Sequence, residues 1–380
     1  MKNMTIVLAL MLICQLTYSQ CDGRYQNEIF NSASTETVNY SDVYNDERHQ
    51  MDIYTPNGDT ITNRPVIVFI HGGSFITGDK NNNYAVDFCK SFAKKGYVTV
   101  SMNYRLTLPF FFFPSKEHQY ETLLNAIYDA KAAVRYLRKD YENGNNYGID
   151  TSTIFIGGYS AGAATSLHLA YVDNINDLPN SVMDNDGSSF NPQSIASSIG
   201  GINGFEGDAG NYGYSSNVSG VISFAGALIQ PSWIDNDDVP LATAHGTADS
   251  TVNYNCGAAF GQDFVVSMCG PGEMHPQANL AGIINDELVF DGIDHDWTDN
   301  GLLDPNFAQA IDFTKDFLFP LLPCNNSTLN IENKDITPPI LNRKLKKIIN
   351  LRGQEIQPTP NIPFFEIYDN GSIEKKIIFY

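Results

Sequence analysis

Apolar and β-branched residues collect in short runs along the chain, separated by longer stretches in which apolar side chains return every three or four positions. The short runs predict strands over Gln50–Tyr54, Pro65–Ile70, Val98–Asn103, Thr153–Ile156, Val218–Phe224, Leu241–Ala244 and Glu287–Phe290. The longer stretches predict helices over Tyr84–Lys95, Tyr120–Lys139, Ala161–Tyr171 and Asn306–Phe319. In the second of these Leu123, Ile127, Val134 and Leu137 share one face. Several strands are apolar throughout, Val66 to Ile70 most clearly, and a strand needs that only when both faces of its sheet are covered. The alternation therefore predicts an α/β fold: a mainly parallel sheet with helices on both sides.

The rhythm breaks in three places. Residues 173–214 are rich in Asn, Asp, Ser and Gly and are far longer than an ordinary connection, so they read as a lid-like insertion or a surface excursion. Within them Asp184, Asp186 and Gly187 half-match a calcium loop, but Val182 stands at the first ligand position, so neither metal nor cofactor is expected. At the amino end Lys2 precedes the apolar stretch Thr5–Cys14, which is too short to span a bilayer and is followed by small Ser19. Residues 1–19 are read as a secretory signal peptide. Lipidation of Cys21 is the weaker reading, since Tyr18, Ser19 and Gln20 lack the Leu and small residue expected before such a cysteine. At the carboxyl end 325–340 are polar with Pro338 and Pro339, a linker, and 341–380 hold short strand-like runs joined by Gly turns. The expected order is signal 1–19, the α/β domain 20–324, linker, and a small all-β module 341–380.

Composition sharpens this picture. The 380 residues are 42% hydrophobic and 17% charged, enough apolar surface for a large core. The net charge of −20 argues against nucleic acid and anionic membrane surfaces as partners. After Leu341 seven basic residues face four acidic ones, so that module is +3 and the rest of the chain carries −23. No segment beyond the leader reaches membrane-spanning length, so the mature chain is expected to be soluble and outside the cytoplasm. Of six cysteines, Cys14 leaves with the leader, and Cys256 and Cys269, close together among glycines, are the favoured disulfide; Cys21, Cys89 and Cys324 cannot be paired from sequence.

The chemistry centres on Gly158-Tyr159-Ser160-Ala161-Gly162, which follows a buried strand and opens a helix. That placement is a nucleophile elbow, with Ser160 exposed at the strand end. Upstream, the strand to Ile70 runs into His71-Gly72-Gly73-Ser74, where the amides of Gly73 and Ser74 with that of Ala161 would make an oxyanion hole. A serine hydroxyl is a weak nucleophile without a base and an orienting acid. In chain order after the elbow, Asp249 follows the strand Leu241–Ala244, and His295 follows the strand Glu287–Phe290. His275 is the rival base, on a cysteine-bearing loop; His245 is assigned to packing, and His49, His118 and His168 to bland surface or helix positions. Asp294 and Asp296 are read as adding negative charge beside His295. Phe110, Phe111, Phe112 and Phe113, bracketed by prolines, together with Tyr159 are candidates for the pocket mouth.

Residues from about Thr37 to Leu322 resemble the α/β-hydrolase superfamily, specifically carboxylesterases near hormone-sensitive lipase, the type B carboxylesterases and the bacterial feruloyl or acetylxylan esterases. The pieces that carry the resemblance are His71-Gly72-Gly73, Asn103-Tyr104-Arg105-Leu106, Asp129-Ala130-Lys131-Ala132-Ala133, the elbow, His245-Gly246-Thr247-x-Asp249 and His295. Ser74 stands where many members have a third glycine, and the span from Asp249 to His295 is unusually long. The resemblance implies hydrolysis of a carboxylic ester through an acyl-enzyme, on a small-molecule or polysaccharide-linked substrate. A prolyl-oligopeptidase-type peptidase and a non-catalytic adhesion protein on the same fold are the rivals. Residues 341–380, with Leu351-Arg352-Gly353, Tyr368-Asp369-Asn370-Gly371 and Glu374-Lys375-Lys376, resemble the sorting domain of the type IX secretion system of Bacteroidetes. That resemblance implies export through the periplasm to the surface or medium of such a bacterium, with the secretion machinery as partner.

Overall fold

The computed structural model describes Cys21, residues 23–323 and the segments 345–349, 356–357, 364–368 and 373–376. The leader at 1–19, Cys324, the linker at 325–340 and much of 341–380 lie outside the described residues. Contacts divide the chain into two units, Met1–Ser327 and Thr328–Tyr380.

In the first unit eight strands form one sheet: β1 (Ala33–Asn39), β2 (Gln50–Pro56), β3 (Arg64–Ile70), β4 (Val98–Met102), β5 (Ile149–Tyr159), β8 (Val221–Phe224), β9 (Leu241–Gly246) and β12 (Asn285–Phe290). Their order is β1-β2-β4-β3-β5-β8-β9-β12. From β4 onward every pairing is parallel, while β1 and β2 join antiparallel at one edge. The sheet is thus the mainly parallel one expected, in the α/β-hydrolase arrangement.

Side-chain alternation sorts the core into two layers. Val66, Val68 and Ile70 of β3 enter one apolar cluster, and Ile67 and Phe69 of the same strand enter the other. The first is covered by α3 (Lys116–Glu142) and α4 (Ala161–Tyr171), which bring Leu124, Ile127, Val134 and Leu167. The second is covered by α1 (Asn83–Lys94) and α7 (Pro305–Leu318), which bring Phe88, Phe92, Phe307 and Ile311. Between α1 and α3 lies the single turn α2 (Pro109–Phe112). Helix α3 starts where Ser115 accepts a hydrogen bond from the His118 amide, four residues before the apolar periodicity begins.

The insertion holds the small hairpin β6–β7 (Val182–Met183, Ser189–Phe190) and α5 (Pro192–Gly200). It is fastened to α3 by buried cations: Lys131 Nζ donates to the Phe205 carbonyl at 2.9 Å, and Arg135 donates to the Gly210 carbonyl at 2.8 Å and pairs with Glu206 at 2.7 Å. Arg105 bridges Asp129 of α3 and Asp208 of the insertion. The half-matched calcium carboxylates are used locally: Asp184 accepts from Ser115 and the Lys116 amide, and Asp186 from Ser188.

After β9 the chain forms a second hairpin, β10 (Cys256–Ala258) and β11 (Ser267–Cys269), then α6 (Pro271–Ala281). Cys256 lies directly opposite Cys269 in the register and is disulfide-bonded to it, the favoured pairing; Cys89 is a buried free thiol. In the second unit β13 (Leu345–Ile349), β14 (Phe364–Tyr368) and β15 (Ile373–Lys376) form a three-stranded antiparallel sheet. Among the described residues no helix is long and apolar enough to cross a membrane.

Candidate active site

Ser160 sits at the turn between β5 and α4 with φ 54° and ψ −118°, a strained conformation for a residue with a side chain. Two backbone hydrogen bonds hold this conformation. Its amide donates to the Phe224 carbonyl at 2.8 Å, and its own carbonyl accepts the Ala164 amide of α4 at 2.9 Å. Gly162 has no positive φ; it is needed because any Cβ there would overlap the Ile70 carbonyl, so the glycine lets α4 lie against the end of β3. The turn is therefore a close-packing solution in which the serine, and not its flanking glycines, takes the unusual backbone.

Asp249 follows β9 and His295 follows β12, neighbouring parallel strands whose loops emerge at the same sheet end. His295 Nδ1 lies 2.7 Å from Asp249 Oδ2, and His295 Nε2 lies 2.9 Å from Ser160 Oγ. All three residues are buried. A carboxylate only accepts, so Nδ1 carries the proton and Nε2 is left free to accept from the serine hydroxyl. Asp249 Oδ1 is filled by the amides of Thr251 and Val252, at 2.9 and 2.7 Å. Burial alone would push the Asp249 carboxyl up; hydrogen bonds from His245, His295 and the Val252 amide outweigh it and hold the group well below the usual carboxylate range.

Three residues around this chain of bonds carry more than the sequence suggested. His245 is a second histidine on the acid: its Nε2 lies 2.9 Å from the Val252 carbonyl and 3.2 Å from Asp249 Oδ2. Its packed position thus also gives Oδ2 a second donor. Asp294 ties the two loops together, accepting from the Ser250 amide and from the His295 amide, both at 2.8 Å. Tyr159, a candidate for the pocket mouth, is buried. It stacks beneath the His295 ring, centroids 5.1 Å apart, and donates its hydroxyl to the His295 carbonyl.

The loop after β3 approaches Ser160 from the other side. Gly73 has φ 118° and any Cβ there would overlap the Thr77 carbonyl; Ser74 follows with φ 54°. Tyr84 accepts the Gly72 amide at 2.9 Å, and Tyr104 donates to the His71 carbonyl while its ring stacks on the His71 imidazole. Burial pulls the His71 side chain down to about 4, so this ring stays neutral. Ser74, Ser160 and Ala161 border one cavity of about 50 Å³, which Phe112 also lines. The rest of the phenylalanine run lies elsewhere: Phe110 and Phe111 are 64% and 49% exposed, and Phe113 packs edge-on against Phe260 and Phe264 of the β10–β11 hairpin. Proline brackets make a single helical turn there, which fans the four rings in different directions.

The other histidines are distant in role. His275, expected on a loop, is buried on α6 between Thr243 and Asn285, each 2.8 Å away. His49 and His168 are buried, the first beside Asp46 and Asp129 and the second within α4.

The BD-FAE family model matches residues 51–264, from the start of β2 through the acid loop. The chain belongs to the BD-FAE family. Of curated relatives, gut esterase 1 of Caenorhabditis briggsae is 30% identical over 126 residues, 33% of this BD-FAE chain and 22% of that protein. Phenmedipham hydrolase of Pseudarthrobacter oxydans is 37% identical over 123 residues, 32% and 22% of the two chains. The matches therefore span only about a fifth of those relatives' length. Among solved structures, esterase 2 of Thermogutta terrifontis with propionate bound superposes with a TM-score of 0.50 at 19% identity, over 75% of the BD-FAE chain and 93% of that one. It shares the fold.

Proposed function

We propose that the chain is a serine carboxylic ester hydrolase that works through an acyl-enzyme intermediate. The observation that carries this reading is the unbroken run Ser160 Oγ, His295 Nε2, His295 Nδ1, Asp249 Oδ2, with contacts of 2.9 and 2.7 Å. Family membership supports it, since the matched region includes Ser160 and Asp249 and ends before His295. The names of the curated relatives, an esterase and a hydrolase, agree with it.

In this mechanism His295 takes the proton of Ser160 as the hydroxyl attacks the ester carbonyl, and Asp249 holds the imidazole in the accepting tautomer. The amides of Gly73, Ser74 and Ala161 stabilise the tetrahedral oxyanion. His295 then protonates the departing alcohol, and water repeats the sequence to release the acid. Ser160→Ala is expected to abolish turnover of p-nitrophenyl acetate and labelling by a fluorophosphonate, with an unchanged melting temperature. Near-wild-type ester turnover by that variant overturns the assignment, and peptide cleavage without ester cleavage by the wild type favours a peptidase.

The proposal extends to location. Residues 1–19 act as a signal peptide and 341–380 as a type IX sorting module, a reading supported by their residue patterns and compatible with the small β-sheet of the second unit. A chain lacking 341–380 is expected to stay inside the envelope of a bacterium carrying that machinery. Unimpaired release overturns this part of the reading.

A further inference from the structure

The cavity beside Ser160 has a definite side. Its lining includes Ser74, Ser160 and Ala161 but not His295. The departing alcohol must lie where His295 Nε2 can protonate it, so a cavity that borders Ser160 and Ala161 without bordering His295 suits the acyl half of the ester, although Thr251 and Val252 of the acid loop also line it. Its floor is Ala161 and Ala164 of α4, and one wall is Phe75 and Phe112. The facing wall is the β10–β11 hairpin, which contributes Phe260, Val265 and Met268.

That hairpin is fixed in place at several points. The Cys256–Cys269 disulfide closes its base, and Cys269 exchanges two backbone hydrogen bonds with Leu228, at 2.8 and 3.0 Å. The Phe260 amide donates to the Thr251 carbonyl at 2.8 Å, two residues from Asp249. Gln119, buried at the start of α3, clips the two walls together: its Nε2 donates to the carbonyls of Phe112 and Phe264, both at 3.1 Å, and its Oε1 accepts the Val266 amide at 2.8 Å. Asn185 of the insertion adds a bond to the Phe264 carbonyl. The cavity width is thus set by tethered walls. At about 30 Å³ for one water in the liquid, a cavity of about 50 Å³ has room for roughly two groups of that size.

We propose, on the ester-hydrolase reading above, that the disulfide-closed hairpin 256–269 is the acyl-length ruler of this site, with Met268, Val265 and Phe260 restricting it to short acyl groups. Acetyl and propionyl groups fit between the walls and butyryl stands at the limit; octanoyl and feruloyl groups do not. Gln119 is a positioning residue that keeps the walls together.

The test uses the full chain and its Met268→Ala, Val265→Ala and Met268→Trp variants, with active sites counted by fluorophosphonate labelling. Substrates are p-nitrophenyl acetate, butyrate and octanoate, and methyl ferulate. The wild type is expected to show kcat/KM for octanoate about 100-fold below acetate. Met268→Ala and Val265→Ala should each narrow that ratio about tenfold, and Met268→Trp should depress butyrate relative to acetate by a similar factor. Equal acetate-to-octanoate ratios across labelled variants overturn the ruler, as does wild-type turnover of octanoate or methyl ferulate matching acetate. A wild type that neither hydrolyses any of these esters nor takes the label overturns the underlying ester-hydrolase reading instead.

Discussion

Replacing Asp249 by asparagine keeps shape and volume while changing one acceptor into a donor, and the surroundings decide which way the new amide turns. Oδ1 faces the Thr251 and Val252 amides, and Oδ2 faces His295 Nδ1 and His245 Nε2. If the asparagine oxygen stays on the amides, its NH2 faces His295, whose Nδ1 must then accept. The imidazole proton moves to Nε2, which now donates to Ser160 and can no longer take its proton. The flipped rotamer restores the tautomer but points NH2 at two backbone N–H groups, leaving them unpaired at about 1–3 kcal/mol each. The first arrangement is therefore preferred. A wrong tautomer of this kind lowers kcat by about 10,000-fold, or roughly 5.5 kcal/mol in the barrier. The assay is single-site turnover of p-nitrophenyl acetate at pH 7.5, normalised to intact folded protein by thermal melting. Asp249→Asn retaining a tenth or more of wild-type kcat would refute the assignment of Asp249 as the orienting acid.

Packing sets two more expected outcomes. His168 Nδ1 donates to the Ala164 carbonyl and its Nε2 accepts the Ile229 amide; burial outweighs the Ala164 carbonyl, which favours the charged ring, and the pKa falls to about 4. The unfolded chain binds this proton first, so stability is full above about pH 6.5 and declines toward pH 4, with a loss near 2 kcal/mol at pH 5. His168→Gln should reduce the drop in urea-unfolding free energy between pH 7.5 and pH 5 by about that amount; an unchanged drop refutes the argument. Gly162→Ala forces a methyl group into the Ile70 carbonyl and should cost about 3 kcal/mol by thermal or urea unfolding; a loss under about 0.5 kcal/mol would show that the elbow can relax.

Much of the site was legible because it obeys local rules. A buried strand, a Gly-x-Ser-x-Gly turn and an amphipathic helix occupy consecutive residues, and Asp249 and His295 each follow a recognisable strand. What escaped depends on contacts between distant residues or on patterns that local rules discourage. β1 is an edge strand with four exposed residues in succession, so it shows no apolar alternation. α6 contains Pro271 and Pro276, and only the first suits a helix start. Gln119 reads as an ordinary helix residue, and its clip to Phe264 bridges 145 positions. Tyr159 and His245 stand inside the recognised motifs, but only three-dimensional placement reveals that one stacks under His295 and the other touches Asp249.

The strand that delivers His295 lies at an edge of the sheet. Among the described residues β12 pairs only with β9, and five of its six residues are at least partly open to solvent before Phe290 closes it. Edge elements with little buried surface open more readily than the body of a fold. Hydrolysis would stop when this one seam loosens, with Ser160 still held at the centre by β3, β5 and β8. On the proposed mechanism the working lifetime at elevated temperature is then expected to follow a local event, and substitutions along the β9–β12 seam are expected to change it.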